Sequence, residues 1–118
     1  MDIDIQGVLS GYLACALWTA SDEHGEPLDK DFEVGDFHEE SRSQASATCA
    51  AFCEQNAQLL ADMEPSQIGH DLWLTRNGHG AGFWDRGLGE AGDELTKSAS
   101  ALGETGVSVI SGYLFLDN

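Results

Sequence analysis

Basic residues are what this chain has least of: five Lys and Arg in 118 positions stand against 21 Asp and Glu, a formal charge of −16. A field of that sign repels nucleic acid and anionic membranes and attracts basic surfaces, so a protein partner is expected and direct nucleic-acid or membrane binding is not. Long apolar runs are also missing. None approaches the roughly 20 residues that span a bilayer, and no charged and apolar leader follows Met1, so a soluble protein of the cytoplasm is expected. Cysteine occurs only three times, as Cys15, Cys49 and Cys53. An odd number in a chain able to build a core reads as free thiols in a reducing compartment. Proline occurs only at Pro27 and Pro65, each where helical periodicity stops.

What is present is enough apolar residue, 42% of the chain, to close a core without disulfide or metal, and the length is that of one domain. Residues 1–118 therefore read as a single acidic globular domain. Between Val8 and Ala20 the residues Val8, Tyr12, Cys15 and Trp18, with Leu9, Leu13 and Leu17 beside them, recur at helical spacing and predict a first, largely buried helix. Asp36, with Glu39 three residues on, has the form of a capping box. It opens a second helix whose stripe Ala45, Cys49, Phe52, Asn56, Leu59 and Met63 runs to Glu64 and Pro65. Ser66 is placed to cap a third helix over "QIGHDLWLTR", bracketed by Gly69 and Gly78, with a hairpin pairing 71–75 with 82–85 as the competitor. Leu88, Ala91, Leu95, Ala99 and Leu102 predict a fourth helix closed by Gly103, and Ser111-Gly112 can turn the β-rich tail "VSVISGYLFLDN" into a hairpin. The expected fold is mainly α: about four helices with a short C-terminal β-hairpin, or α+β if the hairpin is extended.

The charge is unevenly spread. Residues 22–40 carry Asp22, Glu23, Glu26, Asp29, Asp31, Glu33, Asp36, Glu39 and Glu40 against Lys30, a net of −8 and half of the total. Dense acids among Gly25, Pro27 and Gly35 read as a long solvated loop that presents these nine carboxylates to a partner. His24 and His38 lie within it. Residues 66–97 carry Asp71, Asp85, Glu90, Asp93 and Glu94 against Arg76, Arg86 and Lys97, a net of only −2.

That quieter region contains "RNGHGAGFWDRGLGEAGDEL", residues 76–95, which crowds Gly78, Gly80, Gly82, Gly87, Gly89 and Gly92 around His79, Phe83 and Trp84. Gly87, Gly89 and Gly92 match a dinucleotide-loop glycine pattern, but Asp85, Glu90, Asp93 and Glu94 occupy the place of the phosphate charge. The aromatic residues Trp73, Phe83 and Trp84 can fold back onto the helices, with Arg76 and Arg86 able to pair with Asp71 and Asp85 across the turn; the loop is then a packed keystone. The alternative is a ligand or metal loop formed by His70, Arg76, His79, Trp84, Asp85 and Arg86. Zinc on Cys49, Cys53, His70 and His79 would not follow a finger or ribbon spacing, and two cysteines on a core stripe read first as small buried residues. Calcium on "DKDFEVGDFHEE", through Asp29, Asp31, Glu33, Asp36 and Glu40, would depart from the alternating Asp-x-Asp-x-Asp-Gly loop. A Cys-His nucleophile lacks the electropositive setting that activates a thiolate, and adjacent acid pairs such as Asp93-Glu94 diverge on a helix. No cofactor, metal or enzymatic activity is expected.

"GHDLWLTRNGHGAGFWDRGLG", residues 69–89, and "YLACALW", residues 12–18, together about a quarter of the chain, resemble a group of short, acidic, uncharacterised proteins of bacteriophages and related mobile elements. The resemblance implies a phage or mobile-element origin and a host-cell cytoplasmic setting. It implies no activity. Joined to the charge, it leads to the expectation of a non-enzymatic DNA-mimic inhibitor, of the anti-CRISPR or anti-restriction type, bound in the basic nucleic-acid channel of a host defence or regulatory complex.

Overall fold

Helix α1, Ile5–Thr19, opens with the Asp4 carboxylate accepting the Gly7 N–H at 3.3 Å, an N-cap that satisfies one of the orphan donors of the first turn. In this computed structural model, which describes residues 3–21, 25–78, 82–83 and 87–117, α1 is the helix against which α4 (Pro65–Arg76), α2 (Glu39–Gln55) and the turns of the acidic segment pack. Val8, Tyr12, Leu13, Cys15, Ala16 and Leu17 are all buried, on more than one face. The exposed positions are Gln6, Ser10, Ala14 and Trp18, a stripe at four-residue spacing. Trp18 therefore does not join the core as its spacing suggested: it is 60% exposed.

The protein is mainly helical, as expected, with α2 (Glu39–Gln55), α3 (Ala57–Leu60), α4 (Pro65–Arg76) and α5 (Glu90–Ser100) following α1. A two-stranded antiparallel hairpin, β1 (Val107–Ile110) and β2 (Tyr113–Leu116), closes the chain. Ser111 at φ 53° and Gly112 at φ 85° supply the two left-handed residues of a tight hairpin turn. The hairpin's inner side is fixed by fully buried Leu114.

The second helix is not continuous to Pro65. It breaks at Asn56, whose side-chain amide donates both to the Phe52 carbonyl at 2.9 Å and to Ser98 of α5 at 3.0 Å. The break turns the following residues, so Leu60 enters the core while Leu59, the residue on the expected stripe, stays at the surface. The cap of α2 also differs from expectation. His38 Nδ1 accepts the Glu40 N–H, whereas Asp36 belongs to a preceding 3₁₀ turn, Val34–Asp36. Similarly, α4 is opened by Glu64 with Pro65 in the first turn, and Ser66 donates its hydroxyl proton to the Glu64 carboxylate at 2.6 Å instead of capping.

Residues 71–75 are helical, which rules out the competing hairpin. Gly78, at φ +70°, does follow the end of α4, but Gly69 is no boundary. It lies inside α4 where that helix crosses α1. A Cβ there would sit 1.9 Å from the Val8 carbonyl oxygen, and one on Gly11 would sit 2.0 Å from the Ser66 carbonyl oxygen. The two helices touch backbone to backbone because neither carries a side chain at the crossing.

Candidate protein-interaction surface

From Gly25 on, the acidic segment is built of turns anchored to the core and is not a solvated loop. Leu28 is buried against α1, its N–H donates to the Ala20 carbonyl at 3.0 Å, and the 3₁₀ turn Leu28–Lys30 follows. A second turn is held where the Glu33 N–H donates to the Asp36 carboxylate at 2.8 Å. Phe37 is then buried and bridges β2 at Leu114, and the His38 N–H donates to the Leu114 carbonyl at 2.8 Å. With Leu28 and Phe37 as anchors, Glu26, Asp29, Asp31, Glu33, Glu39 and Glu40 are turned to solvent, while Asp36 is half-buried in its turn. Asp22 and Glu23 lie outside the described residues. Lys30 meets Glu26 at 3.6 Å, with both side chains more than half exposed, a pair that contributes little to stability.

The residues of the alternative ligand loop do not form one site among those described. His70 is half-buried and stacks on Trp18, ring centres 5.8 Å apart, with its Nδ1 buried and without a hydrogen-bond partner. Arg76 is buried six residues further along α4, on another face. It does not pair with Asp71. Its guanidinium donates to the Tyr12 hydroxyl at 2.9 Å, the Gly103 carbonyl at 2.8 Å and the Leu102 carbonyl at 3.1 Å. A cation there closes the C-terminal end of α5, where unpaired carbonyls and the helix dipole favour positive charge. Asp71 is fully buried and accepts the Gln67 side-chain amide at 2.8 Å. His79, Trp84, Asp85 and Arg86 lie outside the described residues.

Phe83 carries the keystone role in the part of the loop that is described. It is fully buried, stacks on Phe52 with ring centres 5.6 Å apart, and its N–H donates to the Thr75 hydroxyl at 3.2 Å. The three cysteines are free and buried. Burial pushes the Cys15 thiol up to about 12, helped by the Asp71 charge, and pushes Cys49 up to about 12 with a smaller contribution from Cys53. Burial raises Cys53 to about 11. Such thiols stay protonated and are poor nucleophiles. Among the described residues no group of three or more His, Cys, Asp or Glu is placed to hold a metal ion, the calcium set of the acidic segment included; His79 of the zinc set lies outside the described residues.

Sequence patterning missed a second feature. Thr19, Trp73, Asn77, Glu104, Gly106 and Asp117 border an open cleft of about 600 Å³ beside the start of β1. The Trp73 indole N–H donates to the Thr19 hydroxyl at 2.8 Å, and Asn77 accepts the Thr105 N–H at 2.8 Å, so the cleft joins the ends of α1 and α4 to the hairpin. Toward the turn end of the hairpin, Val109, Ile110 and Tyr113 are 46%, 54% and 54% exposed. The signal was legible as a run without charge, residues 105–116, in a chain of −16. Among the described residues no helix is long and apolar enough to cross a membrane. No protein family, curated protein or solved structure matches the chain.

Proposed function

We propose that this protein is a non-enzymatic, acidic interaction protein that presents the segment from Asp22 to Glu40 to a basic protein surface. In this reading it occupies the nucleic-acid channel of a host defence or regulatory complex, as DNA mimics of the anti-CRISPR or anti-restriction type do. The observation that carries the reading is the acidic segment as described from Gly25 on: six exposed carboxylates, three of them between the buried anchors Leu28 and Phe37 and three just outside them, in a chain of net −16. Charges held on a fixed scaffold lose less freedom on binding than charges on a free tail, so they steer and orient a basic partner more effectively. The resemblance of residues 12–18 and 69–89 to acidic phage proteins implies a mobile-element origin and no activity; the choice of a basic partner rests on the charge.

The experiment is affinity capture from bacterial lysate at low salt, followed by stepwise elution with salt and with duplex DNA. Proteins that bind nucleic acid should be retained, released as the Debye length shrinks below about 8 Å, and displaced by DNA. Retention of no such protein, or retention indifferent to salt and DNA, refutes the proposal.

A further inference from the structure

We infer that the outer edge of β1 is a docking site for an extended basic segment of the partner, added as a third strand to the hairpin; this rests on the proposed affinity for basic proteins. The hairpin register pairs Ile110 with Tyr113, Val109 with Leu114, Ser108 with Phe115 and Val107 with Leu116. In a hairpin with a two-residue loop, the pair next to the turn is hydrogen-bonded and the parity alternates from there. Gly106 fits that parity, since its carbonyl accepts the Asp117 N–H at 3.0 Å. The backbone groups of Val107 and Val109 therefore point away from β2, along an edge that no other strand covers among the described residues. The far side of β2 is already taken by Phe37 and His38.

An uncovered edge of this kind is usually blunted by a lysine, a proline or an inward charge, because it templates pairing with another chain. Here it carries Val107, Ser108, Val109 and Ile110, with Val109 and Ile110 about half exposed. Charge selects the occupant. Glu104 and Asp117 bracket the uncharged run and border the cleft at the Val107 end of β1, so an incoming strand with Lys or Arg there gains opposite charge beside a backbone ladder. A second copy of this chain would bring its own −16 to the same place. Backbone bonds would supply affinity, and the alternate side chains beside Val109 and Ile110 would supply selectivity, as in other strand additions.

The test is a titration of the isotopically labelled full chain, followed by amide chemical shifts, with an end-blocked peptide of alternating lysine and valine and with its glutamate–valine counterpart. The lysine peptide should shift Val107 to Ile110. Val109→Pro removes an outward N–H that the hairpin does not use, and should weaken binding about tenfold, the value of one backbone hydrogen bond. Val109→Lys should weaken it by charge repulsion without touching the backbone, and melting curves establish that both variants remain folded. Shifts confined to residues 26–40 would overturn the strand site while leaving the basic-partner reading in place, whereas silence in both regions would count against both. Equal binding of the glutamate peptide, or self-association through β1 without peptide, would also overturn it.

Discussion

Replacing Gly69 by alanine adds one methyl group where α4 crosses α1, and the structure states what that methyl meets. Its Cβ would lie 1.9 Å from the Val8 carbonyl oxygen and 2.6 Å from the Tyr12 nitrogen. Both are backbone atoms of a fully packed helix, so no side chain can swing aside. Restoring even a tight contact of about 3 Å requires the helices to separate by about 1 Å, which opens voids around Val8, Tyr12 and Leu72 in the core. Overpacking of this kind costs about 1–3 kcal/mol, and backbone-on-backbone contact belongs at the upper end. Alanine returns up to about 1 kcal/mol through its better helix propensity. The expected outcome is a net loss of about 2 kcal/mol in urea denaturation followed by circular dichroism, with an unchanged denaturant slope. Gly35→Ala is the control, because nothing lies within 4 Å of its Cβ, and it should be neutral or slightly stabilising. A Gly69→Ala protein as stable as the parent would refute the close crossing.

Two further outcomes test other parts of the fold. Phe83→Ala should cost about 3–5 kcal/mol in the same denaturation assay, since it empties a fully buried aromatic site against Phe52; a loss within 1 kcal/mol of zero, a margin about that of a surface substitution, would remove Phe83 from the core. Alkaline pH should destabilise the protein. The buried thiols stay protonated in the folded chain up to about 11 to 12 but ionise near 9 once unfolded. The unfolded state then binds fewer protons, and stability that is complete below pH 9 falls by about 1.4 kcal/mol per pH unit for each thiol. Thermal melts from pH 8 to 11 should decline steeply, and less so for Cys53→Ala; a flat profile contradicts the burial.

Local chemistry in the sequence predicted much of this architecture. The apolar spacing of α1, of α2 as far as Asn56 and of α5, and the Ser111-Gly112 turn, each act within a few residues, and these elements appear where the sequence places them, although Trp18 leaves the α1 stripe. What escaped prediction depends on residues far apart in the chain. The break at Asn56 needs Ser98 of α5, 42 residues away, to receive its amide. Arg76 turned from the nearby Asp71 to Tyr12, Leu102 and Gly103, because only the folded chain brings the end of α5 over it. Gly69 looked like punctuation but is a contact surface, a distinction that exists only once α1 lies against it. The exposed edge of β1 was hidden for the opposite reason: its valines match a core strand in composition, and only the topology shows that no further strand pairs with that edge among the described residues.

The claim that the acidic segment is what a basic partner meets is tested most directly by the salt dependence of affinity for a captured partner, measured with the parent and with one quadruple variant. Asp29→Asn, Asp31→Asn, Glu39→Gln and Glu40→Gln remove four exposed charges and take the net charge from −16 to −12, while sparing Asp36, which holds its turn. The account predicts a melting temperature little changed, affinity at least about tenfold weaker, and a shallower dependence on salt. Parental affinity with the parental salt slope would contradict it.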